Sequence, residues 1–383
     1  MSRWNALLAT IAVLLLLLAP PVPAQALNAS PAGAITLQNQ GKLAEAEEAW
    51  RTIIRNNPSD AGAFASLGVV LSSEQKYPEA VAAYRQALAL DPHLPGVHLN
   101  WGLAEFKQGH FEAAIPPLKT AIASDAHGMQ ATALLGLSYF GAKRFTEAVK
   151  YLQRAVTLDP SNKELHQTLA QSCLLAKNYQ CALDEFRKLG EMDPDSSAIH
   201  MLTGEALDGE GKTAEAIEEF QKAVHLSPSE PNLHFGLGYL YWESQRYDEA
   251  VAAFQAELQV VPENAQAIAY LGDIAMKNGD YEKAVDLLSK AAKLQTDNRL
   301  VYLDLARIFE DQKKYEQAQT VLRQAILLDP AEPDAHFRLG HVYQQMGNNP
   351  EAEKEFAQVR ELRQKKDRDT GKTPARPTVS PKI

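Results

Sequence analysis

Alanine recurs every 34 residues along this chain, at Ala46, Ala80, Ala114, Ala148, Ala182, Ala216, Ala250, Ala284, Ala318 and Ala352. Twelve residues before each stands another small residue: Gly68, Gly102, Gly136, Gly204, Gly238, Gly272 and Gly340, with Ala34, Ala170 and Ala306 in the remaining places. Four residues after each comes Trp, Tyr, Phe or Leu, from Trp50 to Phe356. No insertion breaks the register. A period held in this way over most of 383 residues means one supersecondary unit stacked on copies of itself, because so small a unit cannot bury an apolar face alone.

The unit is clearest over residues 61–92. With Ala61 as position 1, Phe64, Leu67, Gly68 and Leu71 fall at positions 4, 7, 8 and 11, one face of a first helix. Ala80, Tyr84 and Ala87, at 20, 24 and 27, share a face of a second. Pro92 at position 32 ends it, since proline donates no hydrogen bond and disfavours helix at the residue before it. The pattern predicts an antiparallel helical hairpin, with its small residues where the two helices approach. Repeats begin at residues 27, 61, 95, 129, 163, 197, 231, 265, 299 and 333. The first lacks large residues at positions 4 and 7 and is expected to cap the stack. The third carries Pro116-Pro117 inside its second helix, which predicts a kink or a delayed start.

The spacing of Phe64, Leu67-Gly68, Leu71, Ala80, Tyr84, Ala87 and Pro92 resembles that of the tetratricopeptide-repeat family. The resemblance implies an all-α fold, a right-handed α-solenoid of about ten 34-residue helix-turn-helix repeats, spanning residues 27–362. It also implies that partners lie on a concave surface lined by positions 5, 9 and 12 of the first helices. That stripe offers Leu99, Leu103 and Phe106 in the third repeat and Leu137 and Phe140 in the fourth. The seventh repeat is richest, with Phe235, Tyr239 and Trp242, and the tenth begins with Phe337. A stripe apolar on this second face either packs on neighbouring helices or binds something, and aromatic anchors suit an extended or helical peptide. No repeat has the Lys and Asn pair, at positions 5 and 9, of the subtype that grips C-terminal carboxylates.

Both ends depart from the repeat. Residues 1–26 carry one charge, Arg3, then an apolar run of 14 residues at 6–19, then Pro20, Pro21 and Pro23, then Ala24-Gln25-Ala26. That order predicts a signal peptide cleaved after Ala24 or Ala26, an exported (periplasmic or secreted) product, and no membrane span after cleavage. The competing reading is an uncleaved N-terminal anchor. Export bears on Cys173 and Cys181, at positions 11 and 19 of the fifth repeat: they are either a disulfide across the hairpin turn or two separate thiols. Residues 363–383 read as a basic disordered tail. Residues 360–383 carry a net charge of +5, while the repeat body carries −16. An acidic body argues against nucleic acid, whose phosphates it would repel.

Signs of chemistry are missing from the sequence. His98, His166, His200, His234 and His336 all stand at position 4, which marks a framework packing slot. There is no H-E-x-x-H and no G-x-S-x-G, and both Gly-Lys-Thr triplets lack the leading glycine of a phosphate loop. The expectation is a chain with no catalytic residues, metal or cofactor, acting as a non-enzymatic protein–protein interaction scaffold that binds peptide segments. The alternative is an accessory to export or assembly of an envelope polymer, a polysaccharide or a secreted protein, since aromatic walls also suit sugar rings.

Overall fold

The computed structural model describes residues 30–124 and 128–369, which form twenty helices and no strand. The predicted signal peptide and the tail beyond Asp369 lie outside the described residues. The chain divides into two compact units, one ending at Pro194 and one beginning at Asp195. In the first unit the hairpins are α1 (Pro31–Asn39) with α2 (Leu43–Asn56), α3 (Ala61–Ser73) with α4 (Tyr77–Leu90), and α5 (Val97–Lys107) with α6 (Phe111–Ser124). Then come α7 (Met129–Gly141) with α8 (Phe145–Leu158), and α9 (Lys163–Leu175) with α10 (Tyr179–Met192). The second unit pairs α11 (Ser197–Gly209) with α12 (Thr213–Leu226), and α13 (Leu233–Glu243) with α14 (Tyr247–Val260). It continues with α15 (Ala265–Lys277) and α16 (Tyr281–Leu294), α17 (Arg299–Asp311) and α18 (Tyr315–Leu328), and α19 (Pro333–Gln345) and α20 (Asn349–Asp369).

Short polar side chains start several first helices. Asp60 accepts from the Ala63 amide at 2.9 Å, Asn162 from Leu165 at 3.1 Å and Asn264 from Ala267 at 3.1 Å, each satisfying a donor with no partner inside the helix. Every first helix ends in the same way. Position 15 has a positive φ in all ten repeats, from Gly41 through Gln75, Gly109, Lys143, Lys177, Gly211, Gln245, Gly279 and Lys313 to Gly347. Around Gln75 the Lys76 amide donates back to Leu71 at 2.8 Å and the Gln75 amide to Ser72 at 3.0 Å, the bond pair that closes a left-handed helix terminus. Glycine enters this conformation freely, whereas the glutamines and lysines enter it at a cost of about 1 kcal/mol each.

Inside each hairpin the small residues lie where the helices touch. The recurring alanine is fully buried from Ala46 to Ala318, and Ala352 nearly so. A Cβ added to Gly68 would sit 2.5 Å from the Tyr84 ring, and one on Gly238 2.8 Å from Phe254. The glycine at position 8 is therefore the space that the large residue at position 24 fills.

The position-4 histidines do more than fill space. His166 Nδ1 donates to Glu185 at 2.5 Å, His200 to Glu219 at 2.6 Å and His336 to Glu355 at 2.6 Å, each across its own hairpin. Burial raises the Glu219 carboxyl, but hydrogen bonds from His200 and Lys222 outweigh it and hold the group below its ordinary value. Where position 23 is not glutamate the ring does something else: His234 Nε2 donates to the Pro228 carbonyl at 3.0 Å, and His98 stacks on Trp101.

The irregular repeats show how far the pattern bends. α1 starts late, at Pro31, with Ser30 Oγ accepting from the Gly33 amide at 3.1 Å. α6 begins at Phe111 and runs through Pro116 and Pro117, so the expected delayed start does not occur. The buried Ala114, Ile115 and Leu118 around the prolines hold that helix against its partner. Cys173 and Cys181 are joined, with Cα atoms 5.7 Å apart, so a covalent bridge links α9 to α10 across their turn. α20 continues past Leu362 to Asp369, where Lys366 pairs with Glu332 at 3.2 Å and Arg363 lies 5.9 Å over the Phe337 ring.

Candidate functional site

The aromatic stripe of the seventh repeat becomes one wall of a groove in the second unit. α13 opens on Pro231-Asn232, with Asn232 at φ 71°. Glu257 of α14, fully buried, holds that opening: its carboxylate accepts from the Asn232 amide at 3.0 Å, from the Phe235 amide at 3.2 Å and from Asn264 Nδ2 at 3.1 Å. Position 27 is alanine in most repeats, so this anchor belongs to the seventh alone. Phe235 is thus fixed through its own backbone.

Tyr270 of α15 is the hub of the cluster. Its ring centroid lies 5.9 Å from Phe235, 5.8 Å from Tyr239, 5.0 Å from Trp242 and 5.3 Å from Phe254. Most of these contacts are tilted or edge-to-face, the arrangement the ring quadrupole favours. Trp242 Nε1 donates to Asp273 at 2.6 Å, and Lys277 pairs with the same carboxylate while its ammonium sits 4.9 Å over the Trp242 ring. Phe235, Tyr239, Trp242, Tyr270 and Asp273, with Leu300 and Asp304 of α17, line a hollow of about 530 Å³. Leu300 is 66% exposed at its edge.

The hollow and its surroundings are acidic. Asp304 is half-buried and makes no hydrogen bond or ion pair among the described residues. Burial first, then the neighbouring Asp273 charge, push its carboxyl up to about 6. Burial also raises Glu205, Asp208 and Glu243 on α11 and α13. Burial comes first for Glu243 too, and the neighbouring Asp208 charge adds to its upward shift. Burial and these carboxylates raise the Tyr239 hydroxyl. The wall thus presents ring edges and carboxylates, suited to an apolar side chain and a cation.

Comparison with family profiles places the whole repeat region. One profile for the tetratricopeptide repeat matches residues 32–95 and 99–163, a second matches 139–206, and that for the TPR repeat matches 209–245. The profile for the cytochrome c-type biogenesis protein H TPR domain matches residues 243–370. The chain is a tetratricopeptide-repeat protein.

Among solved structures, this tetratricopeptide-repeat chain is similar to the anaphase-promoting-complex heterotetramer Cut9–Hcn1, at 19% identity over 78% of this chain and 59% of that one, with a TM-score of 0.46. The chain therefore spans about three fifths of that relative's length. It is also similar to MamA from Desulfovibrio magneticus RS-1 (21% identity, 44% of this chain, 95% of that one, TM-score 0.40). Yeast Tom70 is a third (15% identity, 86% and 90%, TM-score 0.40). The comparison with curated proteins found no match.

The other stripe residues of the tetratricopeptide-repeat chain scatter. Phe106 packs edge-on against Phe111 at 5.5 Å and Phe140 against Phe145 at 5.9 Å, each at its own hairpin turn. Leu99 lines a separate hollow of about 630 Å³ beside His98 and Met129, and Leu103 a smaller one of about 270 Å³ beside Val69 and Tyr84. Leu137 is half-buried. Phe337, 41% exposed, meets His341 at 4.5 Å. Only Phe235, Tyr239 and Trp242 come together. The stripe rule missed Tyr270 and Asp304, which both stand at position 6, and gave Asp273 no weight. Their signal is a pair of polar or aromatic residues at one off-stripe position in successive repeats. No cluster of His, Cys, Asp or Glu among the described residues is arranged to hold a metal, and none of the described helices is long and apolar enough to cross a membrane.

Proposed function

We propose that this tetratricopeptide-repeat protein is a non-enzymatic scaffold, exported to the cell envelope or exterior, that binds peptide segments of a partner protein in the aromatic groove of its seventh to ninth repeats. The observation that carries the reading is the groove itself: Phe235, Tyr239, Trp242 and Tyr270 converge on one hollow beside the exposed Leu300. Anchoring rings in a concave wall are the usual basis of peptide capture. Export is supported by the leader-like order of residues 1–26 and by the Cys173–Cys181 bridge, which suits an oxidising compartment.

The test is affinity purification of the protein from its own envelope fraction, with the triple variant Phe235→Ala, Tyr239→Ala, Trp242→Ala as control. The wild type should retain a protein partner and the triple variant should lose it, while its melting transition stays cooperative. Retention by the triple variant would move the site elsewhere. Retention of envelope glycans in place of protein would favour a role in polymer export or assembly. N-terminal sequencing of the purified protein checks the export reading: a chain that still begins at Met1 overturns cleavage.

A further inference from the structure

Two residues of the groove wall, Asp273 and Trp242, already engage a cation beside the hollow, and the geometry shows where a second would go. Lys277 pairs with Asp273 while its ammonium lies over the Trp242 ring, so carboxylate and aromatic face act together on a positive charge. Asp304 lines the same hollow from the next first helix and has no such partner among the described residues. A half-buried carboxylate left unpaired is costly, and a cation delivered by a ligand recovers that cost. The walls around it, Tyr270, Trp242 and Leu300, are apolar surface of the kind that the stem of a long basic side chain covers. Glu243 on α13 and Asp208 and Glu205 on α11 add further carboxyl groups to the same unit. An acidic segment, or a terminal carboxylate, would meet repulsion from Asp273 and Asp304 in the hollow.

We propose that the groove takes a basic peptide segment: a lysine or arginine of the partner pairs with Asp304 while its aliphatic stem and an adjacent apolar residue lie against Trp242, Tyr270 and Leu300. This rests on reading the groove as a peptide site, and it names the chemistry of the occupant. The groups facing Asp304 are Asp273 and Lys277 on α15, Arg307 on its own helix and Arg338 on α19. Arg338 is engaged with Glu310 at 3.1 Å and with the Leu303 carbonyl at 3.0 Å. Because Asp304 ionises only above about 6, affinity for the basic segment rises between pH 5 and pH 7.5.

The experiment is selection of a phage-displayed random octapeptide library on the full chain, on Asp304→Asn, and on the triple variant of the preceding subsection. The wild type should enrich peptides with lysine or arginine beside an aliphatic or aromatic residue. Asp304→Asn should keep the apolar preference but lose the basic one. In calorimetry, the best wild-type peptide should bind that variant about tenfold more weakly, with its pH dependence flattened. The triple variant should enrich nothing. Apolar peptides without basic enrichment on the wild type would overturn the cationic subsite and leave the peptide site standing, whereas no enrichment on any form would overturn both. A dimer that the triple variant dissolves would show a second copy in the groove, and binding that appears only after deletion of residues 370–383 would show the chain's own tail there; either result also overturns the proposal.

Discussion

Gly68 and Tyr84 show how one missing methyl group sets a hairpin. With a Cβ only 2.5 Å from the ring, Gly68→Ala overpacks the contact, and urea unfolding should show a loss of about 1–3 kcal/mol. Two carboxylates should respond to pH with opposite signs. Glu219 is held below its ordinary value, so its contribution is present above the unfolded value of about 4.3 and is lost as pH falls through the folded one. Asp304 is raised to about 6, so it costs stability at neutral pH and that cost is relieved as pH falls toward 4. Melting curves of Glu219→Gln should therefore lose part of the acid sensitivity, and Asp304→Asn should be more stable than the wild type at pH 7 but not at pH 4. The small residues were readable from spacing alone, because each fills the same slot in every repeat. The His–Glu pairs were not, since position 4 taken alone says only that a ring stands there. Glutamate at position 23 occurs only in the fifth, sixth and tenth repeats, all of which have histidine at position 4, so reading the two columns together would have found them.

At the scale of helices, α6 carries two consecutive prolines and continues. Pro116 is exposed, so Pro116→Ala restores a ladder donor without disturbing the core and should raise stability by about 1–3 kcal/mol in chemical denaturation. The Cys173–Cys181 bridge closes a short loop, and replacing both cysteines with serine should cost about 2–3 kcal/mol on the chain-entropy account. Hairpin boundaries were legible because proline and the alternation of faces mark them. The groove was legible only in part. Phe235, Tyr239 and Trp242 announce themselves within one repeat, but the meeting of Tyr270 with Phe254 depends on how adjacent hairpins pack, which no single-repeat pattern encodes.

For the whole molecule, stacking of like units makes stability local. Each hairpin leans on its immediate neighbours, so a weakened one should loosen those and leave distant ones protected. Within the first unit, hydrogen exchange of Gly68→Ala should speed up in the first three repeats and stay near wild-type rates in the fifth. Uniform acceleration across the unit would argue for a single cooperative block. The left-handed residue at position 15 has a consequence of its own. Because all ten hairpins turn through the same left-handed region, a recombination event or a designer that splices there joins equivalent ends. Copies can be duplicated or excised one at a time, each junction inheriting a bend the chain already knows how to make. Length is then a free variable of this architecture, while the acidic pocket of the seventh to ninth units, with its one-off Glu257 anchor, is the segment that such edits must spare.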